Sequence, residues 1–185
     1  RWVADPRIAP VFEQRFREFR YDVVYRPYVE RVIFDTLQAP VDISGVSIPS
    51  LAHVENTSRE ARFVYPVNAE HDDFAQGFVD LLFEWGGRYY FADWKSDTPP
   101  DGFAPGSVAQ IVNDRYPVQA SVYTVALTRL LGIDSADEYE SEFGGFFYLF
   151  VRGMQPARPG HGIYFARPAW DDYQRWEETL EEVAR

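Results

Sequence analysis

The sequence predicts a single α/β domain in which helices flank a central mixed β-sheet. Three observations predict it. Segments rich in β-formers follow one another between residues 59 and 94. A later run, Gly145–Val151 (Gly-Phe-Phe-Tyr-Leu-Phe-Val), is apolar throughout and reads as a strand covered on both faces. Stretches of helical periodicity lie before, between and after these strands.

In chain order, residues 10–38 read as helical. Val11, Phe12, Phe16 and Phe19, then Val29, Val32, Ile33 and Leu37, recur at three- and four-residue steps, and Pro27 breaks or starts a helix among them. Residues 39–58 hold Pro40, Gly45, Pro49 and Asn56, a turn-rich connection with a short helical turn near Ile48–Val54. Arg59–Pro66 alternates and contains Phe63, Val64 and Tyr65, which predicts a strand. Gln76–Phe83 and Arg88–Trp94 predict two more strands, joined at Gly86–Gly87 by a two-residue hairpin loop. Residues 97–107, with three prolines and two glycines, read as a loop. Pro117 suits the first turn of a helix that runs to Leu131 and stops at Gly132. Ile163–Phe165 makes a further short strand, and Asp171–Ala184 an acidic closing helix.

A length of 185 residues is enough for one domain with a sizeable core. The absence of cysteine excludes disulfides, thiolate zinc sites and cysteine nucleophiles, and fits a reducing cytoplasm. No apolar run reaches the ~18 residues of a membrane span, and no signal peptide is visible. A first residue Arg1 and a sole methionine at Met154 are expected of a segment of a longer chain. The net charge of −11 counts against a free-standing nucleic-acid binder, although much of it is concentrated in Asp134–Glu142 and Asp171–Glu182.

The segment that carries chemistry is Gly77–Lys95. If Gly86 and Gly87 form the loop, Trp85 pairs with Arg88 and the paired numbers sum to 173, which sets Asp80 opposite Asp93. Two carboxylates facing each other destabilise a sheet. A divalent cation supplies the reason for them, because Mg²⁺ takes one or two carboxylates together with water and phosphate oxygens. Lys95 projects from the same face as Asp93, and Trp94 from the other. An ammonium there can position the attacking water or neutralise charge on a scissile phosphate. Glu60 is a candidate third carboxylate if its strand pairs alongside. Downstream, Tyr116, Gln119 and Tyr123 share one helix face, from which an amide can meet a phosphate or base and a phenol can stack. The competing reading makes Asp80 a bulge cap, Asp93 and Lys95 a surface ion pair, the helix tyrosines core, and Gln119 a buried polar bridge.

Gly77-Phe-Val-Asp80, Asp93-Trp-Lys95-Ser96, Tyr116-x-x-Gln119-x-x-x-Tyr123-x-x-Ala126-Leu127 and Phe143–Gly153 together resemble the C-terminal nuclease domain of RecB-type helicase–nucleases. Leu37-Gln-Ala-Pro40, Glu60-Ala-Arg-Phe63 and Gly162-Ile-Tyr164 extend the resemblance over about residues 30–167. It implies a PD-(D/E)xK, restriction-endonuclease-like fold and a Mg²⁺-dependent deoxyribonuclease of exonuclease type. Metal ligands would fall on Asp80, Asp93 and the backbone carbonyl of Trp94, with Lys95 catalytic. Glu60, Gln119 and Tyr123 match further family positions. The implied partners are DNA, RecC-like and RecD-like subunits and the helicase domains of a parent chain, acting in double-strand break repair and recombination. Family members also open with a helix whose histidine joins the metal site. None of His53, His71 and His161 sits in such a helix, so residues 1–185 are expected to form one nuclease domain without it. A catalytically incomplete domain with a structural or DNA-docking role is the first alternative. An AddAB-like or CRISPR-associated nuclease is the second.

Overall fold

The glycine pair at 86 and 87 sets the register on which the rest of the sheet is built. Both residues adopt positive φ (60° and 77°), as a tight two-residue hairpin turn requires. They join strand β4 (Asp73–Trp85) to strand β5 (Arg88–Lys95). The pairs run from Trp85 with Arg88 to Leu81 with Ala92, each summing to 173 as predicted. The computed structural model describes residues 6–68 and 73–183.

Strand β3 (Thr57–Asn68) pairs antiparallel with β4 on its outer side. Strand β6 (Phe143–Phe150) runs parallel to β5, and β7 (Ile163–Ala166) closes the far edge antiparallel. The result is a five-stranded mixed sheet in the order β3-β4-β5-β6-β7, flanked by helices, the expected fold class. The parallel β5–β6 step needs a long crossover. It is supplied by α3 (Pro105–Arg115), α4 (Pro117–Leu130) and α5 (Ala136–Glu142). Before the sheet come α1 (Ala9–Glu18), α2 (Arg26–Gln38) and a small hairpin of β1 (Val41–Ile43) and β2 (Val46–Ile48); after it comes α6 (Trp170–Val183). A proline occupies the first turn of α1, α2, α3 and α4, where its missing N–H costs nothing.

Alternation along the central strands divides two cores. Phe91, Phe146, Tyr148 and Phe150 face α3, α4 and α6. Tyr90, Ala92, Phe147 and Leu149 face the other way, toward Val41 and Ile48 of the small hairpin. Trp85 ties that hairpin down by donating from its indole to the Ser47 carbonyl at 3.0 Å. All eight residues of β6 are buried, in agreement with its apolar sequence.

Four elements differ from expectation. No helix was expected before Pro117, yet α3 fills Pro105–Arg115 and begins inside the predicted loop at 97–107. Pro105 and Gly106 read as loop residues, yet this proline sits in the first helical turn and Val108, Ile111 and Val112 bury the helix. Strands β1 and β2 lie in the stretch read as turns, because three-residue strands around Ser44–Gly45 are too short to show alternation. Helix α5 is acidic and buries only Tyr139, so it shows no apolar periodicity. Its start is made by Ser135, whose hydroxyl accepts from the Glu138 N–H. The short turn expected near Ile48–Val54 is a 3-10 turn at Leu51–His53.

Candidate active site

At the carboxyl end of β5 the sheet opens. The β4–β5 ladder stops at Leu81–Ala92, one step short of Asp80 and Asp93. The Trp94 N–H donates instead to Asp80 Oδ2 at 2.9 Å. On the other side, the Val151 N–H donates to the Lys95 carbonyl. Backbone groups alternate sides along a strand, so those of Trp94 turn toward β4. Its N–H is taken by Asp80, and its carbonyl faces the same gap. The side chain of Trp94 packs in the opposite core, as its position predicts.

Asp93 and Lys95 are each only 6% exposed. The Lys95 Nζ lies 2.5 Å from Asp93 Oδ1 and donates to Gln119 Oε1 at 2.6 Å. Gln119 Nε2 donates in turn to Asp93 Oδ2 at 3.1 Å. This closed triangle joins a strand end to the first turns of α4, and it excludes the surface-ion-pair reading. Burial pushes the Asp93 carboxyl above the usual carboxylate range; Lys95 opposes that shift and the Asp80 charge adds to it. Nζ also stands 3.9 Å from the centre of the Tyr116 ring and 4.5 Å from that of Tyr148, within cation–π range of both.

The remaining candidates divide. Tyr123 donates from its hydroxyl to the Phe78 carbonyl at 2.9 Å and sets its ring edge-on to Phe63 and Phe91, so it braces β4 beside the pair. Glu60 does pair alongside: the flanking pairs Arg59–Leu81 and Ala61–Val79 place it across from Asp80. That rung drops out of the ladder, however. Glu60 adopts a φ of +49°, and its side chain is exposed. Among the described residues, no group of three or more His, Asp or Glu forms a cation-holding cluster. His53 is exposed and shares a 2.7 Å hydrogen bond with Ser50 Oγ; His71 lies outside the described residues.

Sequence reasoning missed Tyr148 and Asp97. Tyr148 lies inside the uniformly apolar β6, where nothing marks one ring as special. Asp97 accepts from the Tyr116 hydroxyl at 2.5 Å and from Arg115 at 2.7 Å, which pins the ring beneath Lys95. One signal was available: Lys95 is the sole lysine in a chain with seventeen arginines. An ammonium kept at one buried position alone marks that position.

No protein-family model matches the sequence. Among curated proteins, the chain is 32% identical over 180 residues to the RecB subunit of the RecBCD enzyme of Escherichia coli K12, which covers 80% of this chain. It is 35% identical over 99 residues to the Haemophilus influenzae RecB subunit, or 51% of this chain and 8% of that one. With the Borreliella burgdorferi subunit it shares 23% identity over 151 residues, 66% of this chain and 13% of the subunit. The matched stretch is about 15% of the length of the Escherichia coli subunit. The chain is therefore a relative of the RecB subunits, similar to one limited part of them.

Proposed function

We propose that this chain is a Mg²⁺-dependent DNA nuclease module of exonuclease type, belonging to a RecB-like helicase–nuclease that processes broken DNA ends in the cytoplasm. The observation that carries this reading is the buried Asp93–Lys95–Gln119 triangle, set beside Asp80 where the sheet opens. The donor set is all oxygen: the carboxylates of Asp80 and Asp93 and the Trp94 carbonyl. Hard divalent cations prefer such donors, and Mg²⁺ asks for few protein ligands because it retains water. When bound, the cation supplies charge neutralisation at a phosphodiester and a more acidic water. Lys95 places its ammonium beside the scissile phosphate and holds a proton there. Gln119 keeps Lys95 and Asp93 in register, and Tyr123 braces the strand that carries Asp80. Partners in such an assembly are RecC-like and RecD-like subunits and helicase domains, which would deliver the DNA that an acidic domain attracts poorly.

The test is cleavage of linear single- and double-stranded DNA with and without Mg²⁺. Wild-type protein should cleave only with metal, and Asp93→Ala and Lys95→Ala should each lose at least ~100-fold. Metal-independent cleavage, or full activity in either variant, refutes the reading.

A second reading has one observation in its favour. Both oxygens of Asp93 are already engaged, by Lys95 and by Gln119. A domain that only docks DNA or braces a larger assembly would keep this network shut. Calorimetric titration with Ca²⁺ and Mn²⁺ separates the two readings: saturable binding abolished by Asp80→Asn supports the nuclease, and no binding supports the docking module.

A further inference from the structure

The first 34 residues differ in charge from the rest of the chain. They hold seven arginines against five acidic residues, in a protein whose total charge is −11. Arg15 is matched by Glu18, Arg26 by Glu30 and Glu13, and Arg31 by Asp35. Arg17 and Arg20 are exposed, and neither has a carboxylate within 4.0 Å among the described residues. Among the described residues the side chain of Arg17 bonds only to the Glu13 carbonyl, which carries no full charge. Both line a cleft of about 410 Å³, together with Tyr21 and Arg26 and with Glu13 at one wall.

Four aromatic rings in the same stretch of chain are exposed to solvent, and Tyr21 among them lines the cleft. Phe19, Tyr21, Tyr25 and Tyr28 are all more than half exposed. Phe19 and Tyr21 stack on each other, 5.9 Å apart at 24°. Arg20, between them, adopts a φ of +54°, a left-handed conformation at the end of α1 where glycine is the ordinary residue.

The end of α2 is tied to the backbone at the end of β5. Thr36 near the end of α2 donates to the Val151 carbonyl, and the Val151 N–H donates to the Lys95 carbonyl. From Thr36 back to Arg26 the helix rises about 15 Å.

We infer that the α1–α2 face is a binding track for single-stranded DNA, with Arg17 and Arg20 contacting phosphates and Tyr21 and Tyr25 stacking on bases. Unpaired bases offer faces to exposed rings, whereas duplex DNA offers mainly phosphates. The aromatic content therefore selects single strand, and the local positive charge selects nucleic acid over the acidic surfaces of this chain. The choice of DNA rests on the nuclease reading, but binding itself does not require cleavage.

The test uses the full chain, EDTA and a fluorescein-labelled oligothymidylate followed by anisotropy. The double variants Arg17→Ala/Arg20→Ala and Tyr21→Ala/Tyr25→Ala alter exposed side chains only, and circular dichroism checks that they fold. Each should weaken binding about tenfold or more. The arginine variant should also flatten the salt dependence, and the tyrosine variant should leave duplex binding unchanged. No oligothymidylate binding by the wild type, or unchanged affinity in both variants, overturns the inference. Binding without metal-dependent cleavage would refute the nuclease reading and leave this one standing; metal-dependent cleavage with affinity unchanged in both variants would do the reverse.

Discussion

Two ion pairs stand at the end of β5, four residues apart in sequence, and they differ in nearly everything but their chemistry. Lys95 and Asp93 meet at 2.5 Å with side chains 7% and 9% exposed. Arg115 and Asp97 meet at 2.7 Å with side chains 61% and 19% exposed. Tyr116 joins them: its ring lies under the Lys95 ammonium and its hydroxyl donates to Asp97. The inner pair is out of water, so each charge depends on its neighbours. The outer pair is largely solvated and holds a ring in place at little energetic risk. Distance alone does not rank the two; burial does.

The largest expected effect comes from breaking the inner pair. Lys95→Met leaves the Asp93 carboxylate buried beside Gln119 alone, at a cost of about 3 kcal/mol. Urea denaturation should show a clearly lowered midpoint, whereas Asp93→Asn/Lys95→Met should recover part of the loss. An Asp93 that tolerates the single change without loss would mean the pair is wetter than its burial implies. Next, the aromatic support can be removed without touching either charge. With a single lysine, selectively ¹³C-labelled protein gives one ε-methylene signal. Tyr148→Phe should leave it shifted by the rings, and Tyr148→Leu should move it toward the free-lysine position. Equal signals in the two variants would mean that the ring does not face the ammonium.

The outer pair should respond weakly. Arg115→Ala should cost less than about 1 kcal/mol, and less again in high salt, as measured by thermal melting. The smallest and most discriminating effect is in pH. The Tyr116 hydroxyl and then Arg115 hold Asp97 below the usual carboxylate range. Its contribution is present above the unfolded value near about 4 and lost as pH falls through the folded value. Asp93 is shifted the other way, mainly by burial, so its contribution is present at low pH and lost as pH rises through the folded value. Asp97→Asn should therefore flatten the acid side of the stability curve, and Asp93→Asn should flatten the side above it. Identical curves for the two variants would remove the contrast.

Much of the site was legible because hairpin geometry is a short-range rule. Two glycines set one register, that register placed Asp80 against Asp93, and a period of two put Lys95 beside it. Gln119 and Tyr123 followed from helical spacing. What could not be read depended on long-range packing. Tyr148 reaches Lys95 only because β6 returns parallel to β5 after three helices, and a run of eight buried residues hides which ring faces the site. Asp97 sits among prolines and glycines that conceal the start of α3. The acidity was less of an obstacle than the net charge suggests. Helix α5 ends where β6 begins, and Phe143 there pairs with Tyr89, about 20 Å along β5 from Lys95. On α6, Glu177 and Glu181 are bound by Arg129.

The bend at Glu60 has a consequence for the protein's solubility. Strand β3 is an outer edge of the sheet, and at twelve residues it is long enough to template the edge of another molecule. The opposite edge, β7, is only four residues long. A left-handed residue in the middle of β3 interrupts its regular row of backbone donors and acceptors, and charged Arg59, Glu60 and Arg62 surround the interruption. The same kink that takes Glu60 out of the ladder beside Asp80 therefore guards the sheet against growing by one more strand.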